Sequence, residues 1–550
     1  MFRFGVAVFV HLLAFAFLQE QPRDTATVKI AQGTLKGKIE ISTVTGQKQY
    51  SFLGVPFAKP PLGSLRFKGP RAPESWNGVR DATKEGPMCL QNGAGAEDCL
   101  YLNVITPELP GDPSNATLRP VLVWVHGGAY QTGTSSLSYS RPDYFLQRGL
   151  VFVSISYRLG VLGFLSLEGT DAPGNAGLKD QVAALRWVKA NIARFGGDPD
   201  VVTLFGESAG GSSVHHHMLS PLSDGLFQRA ISDSGAAMNP TAFFNSTRQR
   251  ALRLGKILGL ETADGQRLVD FLRNCTAELL VASQDETLSQ EELKRTMTKA
   301  FIPTIEYPVK GEEIFLAASP WEMTKKGQFK RIPYITGTNK DEGILAYLVC
   351  HDPTCLAEVD KDFERVLPLN MGLKRGSEQS KKIAAQLRQF YFQNRNVSTE
   401  TAHNYIDLQT DAMYAYGCHY VVNHSVAHRV ANVFNYQFVY DGKNAAGRHP
   451  TVQGVAHGDE LFYLFYRPEH SSLQANSTDL AVINTMVTMY ANFAKTGNPS
   501  IDNEVTWKYS TPEHRYYLSI NDTPSLEEDF SKERMALWDG IYTYLGFEST

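Results

Sequence analysis

Gly206-Glu207-Ser208-Ala209-Gly210-Gly211 sets a serine among small residues, directly after the apolar run Val201–Phe205 and before Ser212 to Leu219, a stretch compatible with a helix. A strand that turns sharply into a helix lifts the hydroxyl at the turn above the sheet. The flanking positions then tolerate only small residues, because larger side chains would clash there. The helix start adds N–H groups and a dipole that favour developing negative charge. The chemistry that fits is attack by the Ser208 hydroxyl on an electrophilic carbon.

A second loop belongs with it. Val121–Val125 runs directly into His126-Gly127-Gly128-Ala129-Tyr130. Such a loop is either a tight turn or a source of backbone N–H groups presented to a tetrahedral oxyanion, with the amide of Ala209 as a further donor. A serine hydroxyl needs a base, and the base needs an orienting acid, in the chain order serine, acid, histidine. His215, His216 and His217 follow Ser208 on its own helix and are expected at the surface or in packing, a metal tract being the alternative. His457 sits in Gly454-Val-Ala-His457-Gly458-Asp459-Glu460, a small-residue loop late in the chain. For the acid, Asp341 and Glu342 follow the strand candidate Tyr334–Gly337, at the sheet end where open α/β folds bind ligands. The residues alone do not choose between those two. A neutral imidazole base predicts activity that falls below its pKa, about 6.5 when unperturbed.

The elements that must hold these residues are legible as short apolar runs bounded by turns. Val121–Val125, Val151–Ser156 and Val201–Phe205 read as buried strands, and Leu178 to Phe195 as a helix ended by Gly196-Gly197. Strand, helix, strand implies a parallel crossover. Ala230–Ser232, Tyr334–Gly337, Val433–Phe438 and Tyr516–Leu518 continue the sheet, while residues 245–330 and 351–430 carry charge and helical pattern and are expected to cap it. The expected architecture is α/β: a large central, mostly parallel twisted sheet flanked by helices, one domain with helical insertions.

Of 550 residues, 53 are Lys or Arg and 57 Asp or Glu, and 43% are hydrophobic. A net charge of −4 supplies no cationic field for phosphates, which argues against a nucleic-acid partner. The apolar run Phe4 to Leu18, with Ala14-Phe15-Ala16 as a cleavage site, reads as a signal peptide over residues 1–18, leaving 19–550 as the mature domain. An uncleaved anchor is the alternative, but the run is shorter than the ~20 residues a membrane span needs. No later segment spans a bilayer, and export is the expected destination. Asn115, Asn245, Asn274, Asn396, Asn423, Asn476 and Asn521 are glycosylation candidates in such a chain. Cys89 with Cys99 and Cys350 with Cys355 are candidate local bridges; the spacing leaves Cys275 and Cys418 unsettled. No C-x₂-C pair or H-E-x-x-H marks a zinc site, and no metal or organic cofactor is expected.

Taken in chain order, Phe52-Leu-Gly-Val-Pro-Phe-Ala58, Glu97-Asp-Cys-Leu-Tyr-Leu-Asn-Val104, His126-Gly-Gly128, Gly174-Asn-Ala-Gly177, Phe195-Gly-Gly-Asp-Pro199, Gly206-Glu-Ser-Ala-Gly210 and Asn339-Lys-Asp-Glu-Gly343 resemble the type-B carboxylesterases. These are cholinesterase-like α/β-hydrolases, and the chain is most similar to the secreted insect carboxylesterases. The resemblance covers nearly the whole mature chain. It implies Ser208 as nucleophile, Glu342 as acid and His457 as base, with Gly128, Ala129 and Ala209 forming the oxyanion hole. It also implies a Cys89–Cys99 disulfide, structural ion pairs Arg66–Glu97 and Arg158–Asp180, and a small-molecule ester as substrate. Oligomeric state is left open.

Departures bear on the substrate. Cholinesterases carry a cation-binding tryptophan between the equivalents of Cys89 and Cys99, where this chain has no aromatic residue. Leu345 and Ala346 replace further aromatics, so choline esters are not expected. Juvenile hormone esterases typically carry Gln where Glu207 stands, which counts against the hormone. Thr241 takes a position often held by tryptophan, beside Phe243 and Phe244, and Ala129 stands where a third glycine is usual. The expectation is a serine hydrolase of uncharged small to medium carboxylic esters; the other classes open to the same fold are a slow-turnover ester-sequestering protein and a non-catalytic binding or adhesion protein.

Overall fold

Apolar runs without polar alternation need cover on both faces, and they form the middle of one sheet. The computed structural model describes residues 25–111, 117–429, 432–442 and 452–547. Its strands are β1 (Thr25–Ile30), β2 (Gly33–Ile41), β3 (Lys48–Pro56), β4 (Val79–Asp81), β5 (Tyr101–Thr106), β6 (Arg119–Val125), β7 (Val151–Ile155), β8 (Gly197–Glu207), β9 (Arg229–Asp233), β10 (Tyr334–Asn339), β11 (Val433–Phe438), β12 (Tyr516–Ile520) and β13 (Ser525–Glu528). The order across the sheet is β1-β2-β3-β5-β7-β6-β8-β9-β10-β11-β12-β13, with β4 beside β2. Strands β7 through β12 run parallel; β1, β2, β3 and β5 form an antiparallel flank, and β13 closes the other edge antiparallel.

Every strand read from the sequence is present. The antiparallel flank was not read there, because in β1 lysine and threonine alternate with Val28 and Ile30, a half-exposed pattern without a long apolar run. The helix after β7 spans Ala176–Asn191 and tightens into a 3-10 turn, Ile192–Phe195, capped by Gly196 at φ 83°. It leads from β7 to β8, with β6 lying between them, so the crossover passes over one strand.

The two charged segments are helical as expected, with Arg248–Ile257, Gly265–Asn274 and Ala277–Ser283 in one, and Pro353–Lys361, Glu378–Leu387, Ala402–Thr410 and Tyr416–Ala427 in the other. A π-helical turn, Asp411–Ala415, joins the last two. No described helix is long and apolar enough to cross a membrane.

Disulfides join Cys89 to Cys99 and Cys350 to Cys355, while Cys275 and Cys418 are unpaired. Arg66 grips Glu97 with two hydrogen bonds of 2.5 and 2.6 Å. Arg158 and Asp180 are both fully buried: Asp180 accepts from Nε at 2.8 Å, from Nη2 at 2.7 Å and from the Arg158 backbone N–H at 3.1 Å. Removing one member of such a pair strands the other charge in the interior. Asp180→Ala is therefore expected to lower unfolding free energy by about 3–5 kcal/mol, read as a fall in the urea midpoint at unchanged slope.

Candidate active site

The sheet delivers its loops to one place, since the turns after β6, β8 and β10 and the loop after β11 all leave the C-terminal ends of parallel strands. Ser208 follows β8 at φ 59°, ψ −123°, at the foot of the helix Ala209–Leu219. Its N–H donates to Asp233 O at 2.9 Å, pinning the turn to β9. A Cβ on Gly210 would overlap the carbonyl oxygen of Val125, and one on Gly206 would overlap Gly210, which explains the glycines on both sides.

His457 Nε2 lies 2.8 Å from Ser208 Oγ, and its Nδ1 lies 2.5 Å from Glu342 Oε2. Asp341 and Glu342 differ in orientation, and it is the Glu342 carboxylate that meets His457. Glu342 is fully buried and its Oε1 accepts from Asn339 N–H at 2.7 Å and from Ser234 Oγ at 2.5 Å. Asp341 faces the other way and accepts from Val455 N–H at 3.0 Å, so it anchors the loop that carries His457.

The loop after β6 turns through Gly128 at φ 107°, Ala129 at 54° and Tyr130 at 61°. Tyr157 supports it by donating its hydroxyl to His126 O at 2.8 Å and stacking on the His126 ring at 4.4 Å. Burial pushes the His126 pKa down to about 4, so the ring is neutral. The N–H groups of Gly128, Ala129 and Ala209 donate to no acceptor among the described residues.

Of the two placements open to His215, His216 and His217, surface or packing, the structure shows packing: all three are buried. The helix that follows the turn plunges beneath the site: His215 Nδ1 accepts from Ala237 N–H, His216 bonds Ala242 O, and His217 bridges Ser223 and Gln181. Burial lowers the pKa of all three, which are packing groups; no cluster of three metal-ligating side chains occurs among the described residues.

Sequence reasoning missed the acidic surroundings of His457. Glu207 Oε1 stands 3.1 Å from Nε2, and Asp233 and Glu460 are buried nearby, Asp233 accepting from Tyr490 Oη at 2.8 and 2.9 Å and Glu460 from Asn339 Nδ2. Burial pushes the Glu207 pKa up to about 7, with His457 opposing the rise and Glu342 adding to it. Burial alone would lower the pKa of His457, but Glu207 and Glu342 outweigh it and push it up to about 9. The acid limb of activity is thus expected above the value of a free imidazole. Glu207→Gln removes one of those charges, and the acid limb of kcat/KM is expected to move to lower pH by roughly one unit. A pH–rate profile of the two proteins checks it. The signal for Glu207 and Glu460 was in the motifs themselves, beside Ser208 and three residues beyond His457.

The Carboxylesterase family profile matches residues 24–538. The chain is 36% identical over 525 residues to Esterase FE4 of Myzus persicae, covering 92% of this chain and 90% of that protein. It is 33% identical over 549 residues to Juvenile hormone esterase of Tribolium castaneum, covering 92% of each. The crystal structure of juvenile hormone esterase from Manduca sexta, with OTFP covalently attached, superposes with a TM-score of 0.84 at 28% identity, covering 94% of this chain and all of that one. The chain belongs to the carboxylesterase family and is a carboxylic ester hydrolase with the α/β-hydrolase fold.

Proposed function

We propose that the protein is an exported serine esterase that cleaves uncharged small to medium carboxylic esters through an acyl-enzyme. The observation that carries this reading is the unbroken line of hydrogen bonds from Ser208 Oγ through His457 to Glu342. Ser208 Oγ attacks the ester carbonyl as His457 Nε2 takes its proton; the carbonyl oxygen gains charge against the N–H groups of Gly128, Ala129 and Ala209. The intermediate collapses, the C–O bond breaks, and imidazolium returns the proton to the alcohol. Water, deprotonated by His457, then attacks the acyl-enzyme and releases the acid and Ser208.

Glu207 and Glu342, buried beside His457, disfavour an anionic substrate at this site, while burial pushes the pKa of Asp233 up to about 8 and raises that of Glu460, holding these two toward their neutral form. The names of the relatives include a juvenile hormone esterase. Export is supported by the leader-like residues 1–18, which with Asn115 lie outside the described residues, and by two disulfides. Glycans are proposed on the exposed Asn245, Asn274, Asn396, Asn476 and Asn521. Asn423 is the exception among the candidates: it lies within a helix, its amide packed on His419 at 2.9 Å and accepting from Arg515 at 2.9 Å.

Diethyl p-nitrophenyl phosphate tests the reading. One p-nitrophenolate released per chain, with the phosphoryl group on the Ser208 peptide and no label on Ser208→Ala, is the expected result. Label on another residue, or none, overturns it. Following p-nitrophenyl acetate through octanoate then separates steady turnover from a burst without turnover, the mark of a sequestering protein.

A further inference from the structure

The two nitrogens of His457 are engaged in the plane of its ring, by Glu342 on one side and by Ser208 and Glu207 on the other. One face of that ring is covered by Tyr414. The ring centroids are 4.4 Å apart, the planes are inclined by 33°, and Tyr414 is buried. A phenol ring at this distance presents its negative π face to whatever charge the imidazole carries.

The placement of Tyr414 is built rather than incidental. It lies in the π-helical turn Asp411–Ala415, where a local widening of the helix re-aims side chains. Asp411, at the start of that turn, is fully buried and held by Arg534 from the helix Lys532–Tyr544 and by the hydroxyl of Tyr391, at 2.5–2.6 Å. Trp538, from the same C-terminal helix, donates to that hydroxyl at 2.8 Å. One residue before the turn, Thr410 Oγ1 accepts from the N–H of Gly343, the residue after Glu342, at 2.9 Å. The same stretch of chain therefore braces the acid loop and covers the histidine.

We propose that Tyr414 is a positioning residue for the ester hydrolysis assigned above: its π face holds His457 in line between Glu342 and Ser208, and stabilises the imidazolium that forms in each transition state. The inference rests on His457 acting as the base. Groups facing His457 are Glu207 from β8, Glu342 from the loop after β10, Asp459 from its own loop, and Tyr414. Three of them are carboxylates and share the stabilisation; Tyr414 is the aromatic group among them. The role proposed for Tyr414 lies in its ring and assigns its hydroxyl no part, so phenylalanine should serve as well.

The test compares the parent enzyme with Tyr414→Phe, Tyr414→Leu and the protein carrying pentafluorophenylalanine at 414, using p-nitrophenyl butyrate across pH. Pentafluorophenylalanine keeps the shape of the ring and reverses the sign of its π face, so a folded protein is obtained even where leucine leaves a cavity. Tyr414→Phe is expected to stay within about threefold of the parent. A cation–π contact of this kind corresponds to roughly 3- to 30-fold in rate, so Tyr414→Leu and the fluorinated ring should lower kcat by that factor with KM little changed. Less stabilisation of imidazolium also lowers the proton affinity of His457, moving the acid limb to lower pH by about half a unit or more. A fluorinated ring with the parent's kcat and pH profile overturns the inference, as does a Tyr414→Phe variant as impaired as the leucine one. His457→Gln provides the separate control: if it retains activity, the histidine is not the base and the broader reading fails first.

Discussion

Ser208→Ala is expected to lower kcat for p-nitrophenyl butyrate about a million-fold, leaving substrate binding and the melting temperature close to the parent's. The size follows from the site's construction. The turn at φ 59°, ψ −123° is fixed by Ser208 N–H on Asp233 O and by the close approach of Gly206 to Gly210, none of which involves the hydroxyl. Alanine keeps the backbone and the amides of Gly128, Ala129 and Ala209, so what disappears is covalent chemistry alone. The residual rate over water measures what the oxyanion donors and binding contribute without a nucleophile. A fall of less than about a hundredfold, with the protein pure, would show that another group performs the attack.

The second large effect is expected from Glu342→Gln, a fall of about 10⁴-fold in kcat, the scale seen when a triad carboxylate becomes an amide. The local hydrogen bonds dictate the outcome. Asn339 N–H points at Oε1 from 2.7 Å and can only donate, so the amide oxygen of Gln must face it. The NH₂ group then faces His457 Nδ1, forcing the imidazole to carry its proton on Nε2, toward Ser208. An imidazole in that tautomer cannot accept the serine proton. Chemical shifts of the imidazole nitrogens would report the exchange of tautomer directly, and an unchanged tautomer with full activity would remove Glu342 from the mechanism.

How far these residues were legible depended on whether their signal was local. Gly206 to Gly211 announces Ser208 because a turn and its steric demands are contained in six adjacent residues. The parallel strands were readable because burial on both faces leaves continuous apolar runs, and the helix Ala176–Asn191 because its spacing survives in sequence. The antiparallel strands β1 to β3 mix lysines with apolar residues and blurred into the background. Asp341 and Glu342 could not be separated from spacing, since adjacent residues diverge in space and only the fold says which one meets His457. For His215, His216 and His217 the sequence left surface and packing both open, because their burial comes from the sheet and helices packed around them. Tyr414 left no trace at all: its role depends on a π-helical turn set by Arg534, more than a hundred residues later.

The loops that meet at Ser208 come from far apart along the chain, with 249 positions separating Ser208 from His457 and 115 separating His457 from Glu342. During synthesis the proposed nucleophile, Ser208, leaves the ribosome long before the proposed base, His457. A chain that ends anywhere before His457 owns a serine with no proton acceptor, however well its first half has folded. Strands β12 and β13, which complete the sheet edge, are made later still. Ester hydrolysis by this protein is therefore expected to report that the chain has been made at least as far as His457 and assembled, and colour from a p-nitrophenyl ester would pass over shorter fragments that an antibody to the first half would count.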